Sequence, residues 1–140
     1  MIGEFRIKTD GPGCHDFTSA VADWLTEGGA ENGVLTLLVR HTSCSLLIQE
    51  NADPDVQYDL LNWLGRLVPH TDHPSMHWIT HRDEGPDDMS AHLKASVLPV
   101  NLSIPVHQSL MMLGQWQGIY LIEHRDAPHE RRVAACFQSI

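Results

Sequence analysis

Lysine is nearly missing from this chain. Lys8 and Lys94 are the only lysines among nine basic residues, set against 18 acidic ones, for a net charge of −9. That balance argues against a nucleic-acid partner, because non-specific binding rests on lysine and arginine neutralising phosphates. Cysteine is scarce as well: Cys14, Cys44 and Cys136 are odd in number and show no C-x-x-C spacing, so neither a disulfide framework nor a cysteine zinc site is supported. No run approaches the roughly 18 apolar residues of a membrane span, and the start Glu4-Phe5-Arg6 is charged where a signal peptide is apolar. A cytoplasmic protein with no membrane partner is expected. There is no G-x-x-x-x-G-K-[ST] loop, no H-E-x-x-H pair and no repeat, which removes triphosphate hydrolysis and the familiar helical zinc motif.

What is present fits one domain, residues 1–140, able to bury about 68–70% of its unfolded surface. Alternation at 4–8 predicts a strand, and the stripe Val21, Trp24, Leu25 predicts a helix opened by Thr18 and ended by Gly28-Gly29. Strands are expected at 34–40 and 45–49, joined as a hairpin by a short polar link. Asp53-Pro54 starts the most secure helix, in which Val56, Leu60, Leu61, Leu64, Leu67 and Val68 recur at helical spacing until Pro69 stops it. Beyond the Gly85-Pro86 turn, Ser90 is the expected N-cap of a helix over 91–98, which places His92 in its first turn. Further strands are expected near 102–106, 118–125 and 131–138. Strands outnumber helices without alternating with them, so the expected class is α+β: a mainly antiparallel sheet layered with two or three helices.

Candidate chemistry concentrates in residues 81–94, which hold His81, His92, four carboxylates and Lys94 around the Gly-Pro turn. His41-Thr42-Ser43 and Glu123-His124-Arg125 echo it. By strand parity His41 shares a face with Leu35, Leu37 and Val39, and His124 with Tyr120 and Ile122, so both end apolar faces. Taken singly, a histidine there is most simply a satisfied core-edge residue. Four of them beside carboxylates point instead to metal binding or proton transfer. Glu123 faces away from His124 and is expected to pair with Arg125. The histidines at 15, 70, 73, 77, 107 and 129 read as solvated, and Asp87-Asp88 can simply stabilise the positive end of a helix. His92 and His124, each flanked by a cation, are expected to converge on one polar pocket and share a metal or anion.

The order His41-Thr42-Ser43, Glu50-Asn51-Ala52-Asp53-Pro54, Glu84-Gly85-Pro86-Asp87-Asp88-Met89 with His92-Leu93-Lys94, Gly114-Gln115-Trp116-Gln117-Gly118 and Glu123-His124-Arg125 resembles the YjbQ family over nearly the whole chain. Arg82 differs from the acidic residue that commonly follows the first histidine, Pro99 stands in place of a usual glycine, and residues 127–130 replace a glycine-rich turn. The resemblance implies a YjbQ-like single domain, a homotrimer, and a thiamine-phosphate synthase acting on phosphorylated small molecules with release of pyrophosphate. It implies His41 and Glu84 as catalytic residues, and Asn51, Asp88, Lys94 and Arg125 as substrate-binding ones. His81, His92 and His124 would hold a divalent metal, zinc or magnesium. The alternative is a noncatalytic trimer whose histidines bind a metal or anion for stability. Exposed Trp78, Trp116 and Phe137 are expected to add to the subunit contacts.

Overall fold

The computed structural model describes residues 1–140. Its elements run β1 (Ile2–Asp10), β2 (Gly13–Asp16), α1 (Thr18–Glu27), β3 (Gly33–Val39), β4 (Cys44–Glu50), α2 (Pro54–Leu67), a 3₁₀ turn (Pro74–Met76), α3 (Asp88–Val97), β5 (Asn101–His107), β6 (Leu110–Met111), β7 (Gln117–Glu123) and β8 (Pro128–Ser139). One sheet has the strand order β1-β8-β3-β5-β6, the other β2-β7-β4. Every paired strand is antiparallel. The α+β class expected from the pattern is therefore the one found.

Period-two patterning explains the larger sheet. β3 buries every second residue, so Leu35, Leu37 and Val39 face inward while Val34, Thr36 and Leu38 face out. The inward row meets Val133, Ala135 and Phe137 of β8, Ile104 and Val106 of β5, and Leu46, Ile119 and Leu121 of the second sheet, with Val21 and Leu25 of α1 closing the cluster. Each such leucine contributes about 1.5–3 kcal/mol by leaving water. β7 lies between two layers and is buried along nearly its whole length. Its second face, Tyr120 and Ile122, packs on Leu60, Leu61 and Leu64 of α2.

Local chemistry sets α2 as the sequence indicates: the Asp53 carboxylate accepts from the Asp55 amide at 2.9 Å, and Pro54 occupies the first helical turn. Other expectations need correction. β3 and β4 do not form a hairpin, since β3 pairs with β5 and β8 while β4 pairs with β7. The polar joint at 40–43 instead carries the chain from one sheet to the other. Ser90 is not an N-cap: α3 starts two residues earlier, and the Ser90 hydroxyl donates to the Pro69 carbonyl at 2.6 Å. His92 consequently sits in the second turn. β7 ends at Glu123, β8 begins at Pro128, and the short strands β2 and β6 carried too little pattern to be foreseen. Phe137 is core, 5% exposed, whereas Trp78 and Trp116 are 60% and 57% exposed.

Candidate functional site

α3 and the loop before it build the site. Gly85, with φ of +95°, turns the chain so that Asp88 begins α3 with His92 one turn later on the same face. Asp88 is nearly sealed from solvent, its side chain 3% exposed. Its Oδ2 accepts from His81 Nε2 at 2.7 Å and lies 3.3 Å from His92 Nε2; its Oδ1 accepts from Arg125 Nη1 at 2.5 Å. Glu84 Oε2 lies 3.7 Å from His81 Nε2. One donor atom from each of His81, Glu84, Asp88 and His92 falls within 4.8 Å of all the others. These four side chains could hold a metal ion.

The surroundings hold the ligands in place. The Arg125 guanidinium also donates to Asp87 Oδ2 at 2.8 Å and to the Glu84 carbonyl at 3.2 Å, clamping the loop onto α3. The Asp126 amide adds a bond to Asp87 at 3.0 Å, which is why Asp87 offers α3 no side-chain cap. Arg82, where the resemblance expects an acid, donates to the carbonyls of Ile79, Thr71 and Met76 and ties the loop from behind. Burial alone would raise the Asp88 carboxyl, but the bond from His81 and the charges of His92 and Arg125 outweigh it and hold it below the usual range. The Asp88 bond, helped by nearby acidic charge, raises His81. On the other ring, His92 Nδ1 donates to the Thr42 carbonyl at 3.0 Å.

A second polar cluster lies deeper. Glu123 is fully buried and accepts from Arg131 at 2.7 and 2.6 Å and from Thr9 Oγ1 at 2.6 Å. Burial pushes its carboxyl up, but Arg131 and Thr9 pull it down further, so it is ionised. Arg131 Nη2 also donates to Ser43 Oγ at 2.9 Å, and His41 Nδ1 is 2.9 Å from the same oxygen. His124 is buried with Nε2 at 2.8 Å from Ser45 Oγ, and burial next to Lys94 pushes it down to about 4.

Of the residues singled out from sequence, His81, Glu84, Asp88 and His92 converge, with Arg125 behind them. His124 falls outside that group, and it and His92 share no hydrogen-bond partner in the chain. Arg125 binds carboxylates rather than standing free for an anion. Glu123 pairs with Arg131, not with the Arg125 side chain, because β8 brings Arg131 onto the same interior face; only the Arg125 amide reaches Glu123, at 3.1 Å. Lys94 is half-buried with no ion-pair partner and lines a groove of about 490 Å³ with His70, His73 and Asp126. Burial lowers it from the usual lysine range. Asn51 lies beyond the far end of β4, about 26 Å from the joint by strand rise. His15 is not solvated, since its Nε2 is buried without a partner. Arg131 was overlooked, although its parity with Val133, Ala135 and Phe137 marks an arginine on an apolar face.

The fold and this site define a small two-sheet α+β protein with a histidine-carboxylate donor cluster on one helix and its entry loop. The chain belongs to the YjbQ family: the family described as UPF0047 protein YjbQ-like matches residues 3–139. A UPF0047 protein of Synechocystis sp. is 42% identical over 127 residues, covering 91% of this chain and 84% of its own. The UPF0047 protein YjbQ of Escherichia coli O157:H7 is 39% identical over 127 residues, covering 90% and 88%. A YjbQ/UPF0047 family crystal structure from Clostridium acetobutylicum superposes with a TM-score of 0.86 at 31% identity, covering 97% of this chain and 99% of that one.

Proposed function

We propose that the protein is a cytoplasmic enzyme acting on a phosphorylated small molecule, with one divalent metal held by His81, Glu84, Asp88 and His92. The observation that carries this reading is the four-donor convergence on a nearly sealed carboxylate. Two imidazoles and two carboxylates suit zinc better than magnesium, which prefers oxygen ligands. The bond from His92 Nδ1 to Thr42 leaves Nε2 as the ligating nitrogen, the usual outer support of a metal-bound histidine. Bound there, a zinc ion would supply Lewis-acid stabilisation for a departing phosphate or diphosphate.

The chain's own residues do the rest in this reading. Lys94 attracts the anionic substrate, Arg125 fixes Asp88, and Glu84, the most exposed of the four donors, is free to move a proton when it is not a ligand. Thiamine-phosphate synthesis is the reaction that the family resemblance suggests. A homotrimer would let Asn51, at the far end of β4, serve a neighbouring copy, and exposed Trp78 and Trp116 suit such contacts.

Calorimetric titration of zinc into metal-stripped protein tests the site: micromolar or tighter binding is expected, and loss of binding in His92→Ala and Asp88→Asn. An absence of zinc binding by the parent chain would overturn it. Catalysis is tested by mixing hydroxymethylpyrimidine pyrophosphate and thiazole phosphate, then screening other phosphorylated metabolites. An enzyme loses turnover on metal removal while staying folded, whereas a purely structural site loses thermal stability with its metal.

A further inference from the structure

We infer that His41 is a neutral hydrogen-bond donor that offers its Nε2–H to a phosphoryl oxygen of the substrate, in a groove shared with His92. This rests on the reading of the neighbouring cluster as a substrate site and names a contact within it. The groove, about 420 Å³, lies between the joint at 40–43 and α3 and is lined by His41, Thr42, His92 and Ser96 among others.

Two backbone groups set the two rings. A backbone N–H can only donate, and the Ser43 amide lies 3.1 Å from His41 Nδ1, so that nitrogen keeps its lone pair and the ring proton sits on Nε2. Ser43 Oγ accepts from Arg131, which leaves the serine's own proton for His41 Nδ1 at 2.9 Å. An imidazolium at 41 would set a second ring proton against both donors. Burial and the Arg131 charge hold His41 below the ordinary histidine range, in keeping with that geometry. One residue along, the Thr42 carbonyl can only accept, so His92 carries a proton on Nδ1. Consecutive groups of one crossover joint thus act oppositely on the two rings: one keeps Nδ1 of His41 bare, the other keeps a proton on Nδ1 of His92.

The same small turn occurs at His73, whose Nδ1 accepts from the Ser75 amide at 3.1 Å, with Ser75 Oγ at 2.7 Å. There it caps the 3₁₀ turn, and no arginine stands behind the serine. What sets His41 apart is the buried Glu123–Arg131 pair behind Ser43 and the groove in front of the ring. A neutral imidazole whose tautomer is enforced offers one fixed N–H to an anionic oxygen.

Nitrogen-15 NMR of the imidazole rings at neutral pH tests this on the metal-free chain. His41 is expected to show a protonated Nε2 and a bare Nδ1, and His92 a protonated Nδ1. Inorganic phosphate should move the His41 Nε2–H signal. His41→Ala should weaken phosphate binding about tenfold, the loss of one charge-assisted bond, and His41→Gln, whose amide still donates, should recover part of it. An imidazolium or an Nδ1–H tautomer at His41, or a His41 signal indifferent to saturating phosphate, would overturn the inference. Zinc, added separately, should perturb His81 and His92. If they do not respond while His41 behaves as described, the metal reading fails and the His41 assignment stands.

Discussion

Two clusters of the same chemistry, each with an arginine, a carboxylate and a histidine nearby, sit at different depths in this molecule. Around Glu123, the carboxylate is spent: Arg131 reaches both of its oxygens and Thr9 adds a third bond, while the same guanidinium also donates to Ser43. Around Asp88, the arginine takes one oxygen, while two imidazoles and a second carboxylate crowd the other side, three of the four donor residues partly or fully open to water. A carboxylate filled in this way contributes rigidity and has no oxygen left for a cation. The open cluster holds electron pairs close together that only a proton or a cation can reconcile.

The largest effect expected from this contrast is at the closed cluster. Glu123→Ala strands a buried guanidinium and should cost about 3–5 kcal/mol in urea unfolding; a loss under about 1 kcal/mol would mean that water reaches Arg131. Next comes acid. Folded His124 takes its proton only near pH 4, against 6.5 for an ordinary histidine. The unfolded chain therefore binds more protons across that window, and stability falls as pH drops through it, by up to about 3 kcal/mol. Glu123, held below its ordinary value, adds to the acid loss at still lower pH. His124→Asn should flatten the upper part of that curve, and an unchanged slope would show that His124 is not the source. Asp53→Ala, outside both clusters, should lower stability by about 1 kcal/mol through its lost helix cap while leaving zinc binding intact. An unaltered unfolding midpoint would remove the cap assignment. The smallest effect on folding is expected at the open cluster: His92→Ala should shift stability by no more than about 0.5 kcal/mol, yet remove zinc binding. A large destabilisation without metal would make the two clusters alike.

Features written in a few neighbouring residues were legible in the sequence. Asp53-Pro54 announces a helix because cap and first turn lie within three positions, and Gly85-Pro86 announces the turn that Gly85 makes. Candidate residues were legible by type, since His81, Glu84, Asp88 and His92 all fall in one short polar segment. Their mutual geometry was only partly so. Strand parity says which way Glu123 points, but not that β8 sets Arg131 across from it. Nor could periodicity show that residues 40–43 change sheets, because a hairpin link and a crossover have the same polar composition. His124 next to Arg125 looked like half of a site, yet the side chains part: one goes inward to Ser45, the other across to Asp87 and Asp88.

The strand order β1-β8-β3 has a consequence for how the domain comes into being. β8, last in the chain, lies between the first strand and the third and pairs along β1 from Ile2↔Cys136 to Asp10↔Pro128. During synthesis β1, and the edge of β3 away from β5, stay unpaired until β8 has been made, and Glu123 waits for Arg131 of that same strand. Contacts spanning nearly the whole chain make assembly slow relative to a helical bundle. Until then, exposed strand edges are open to pairing with other chains.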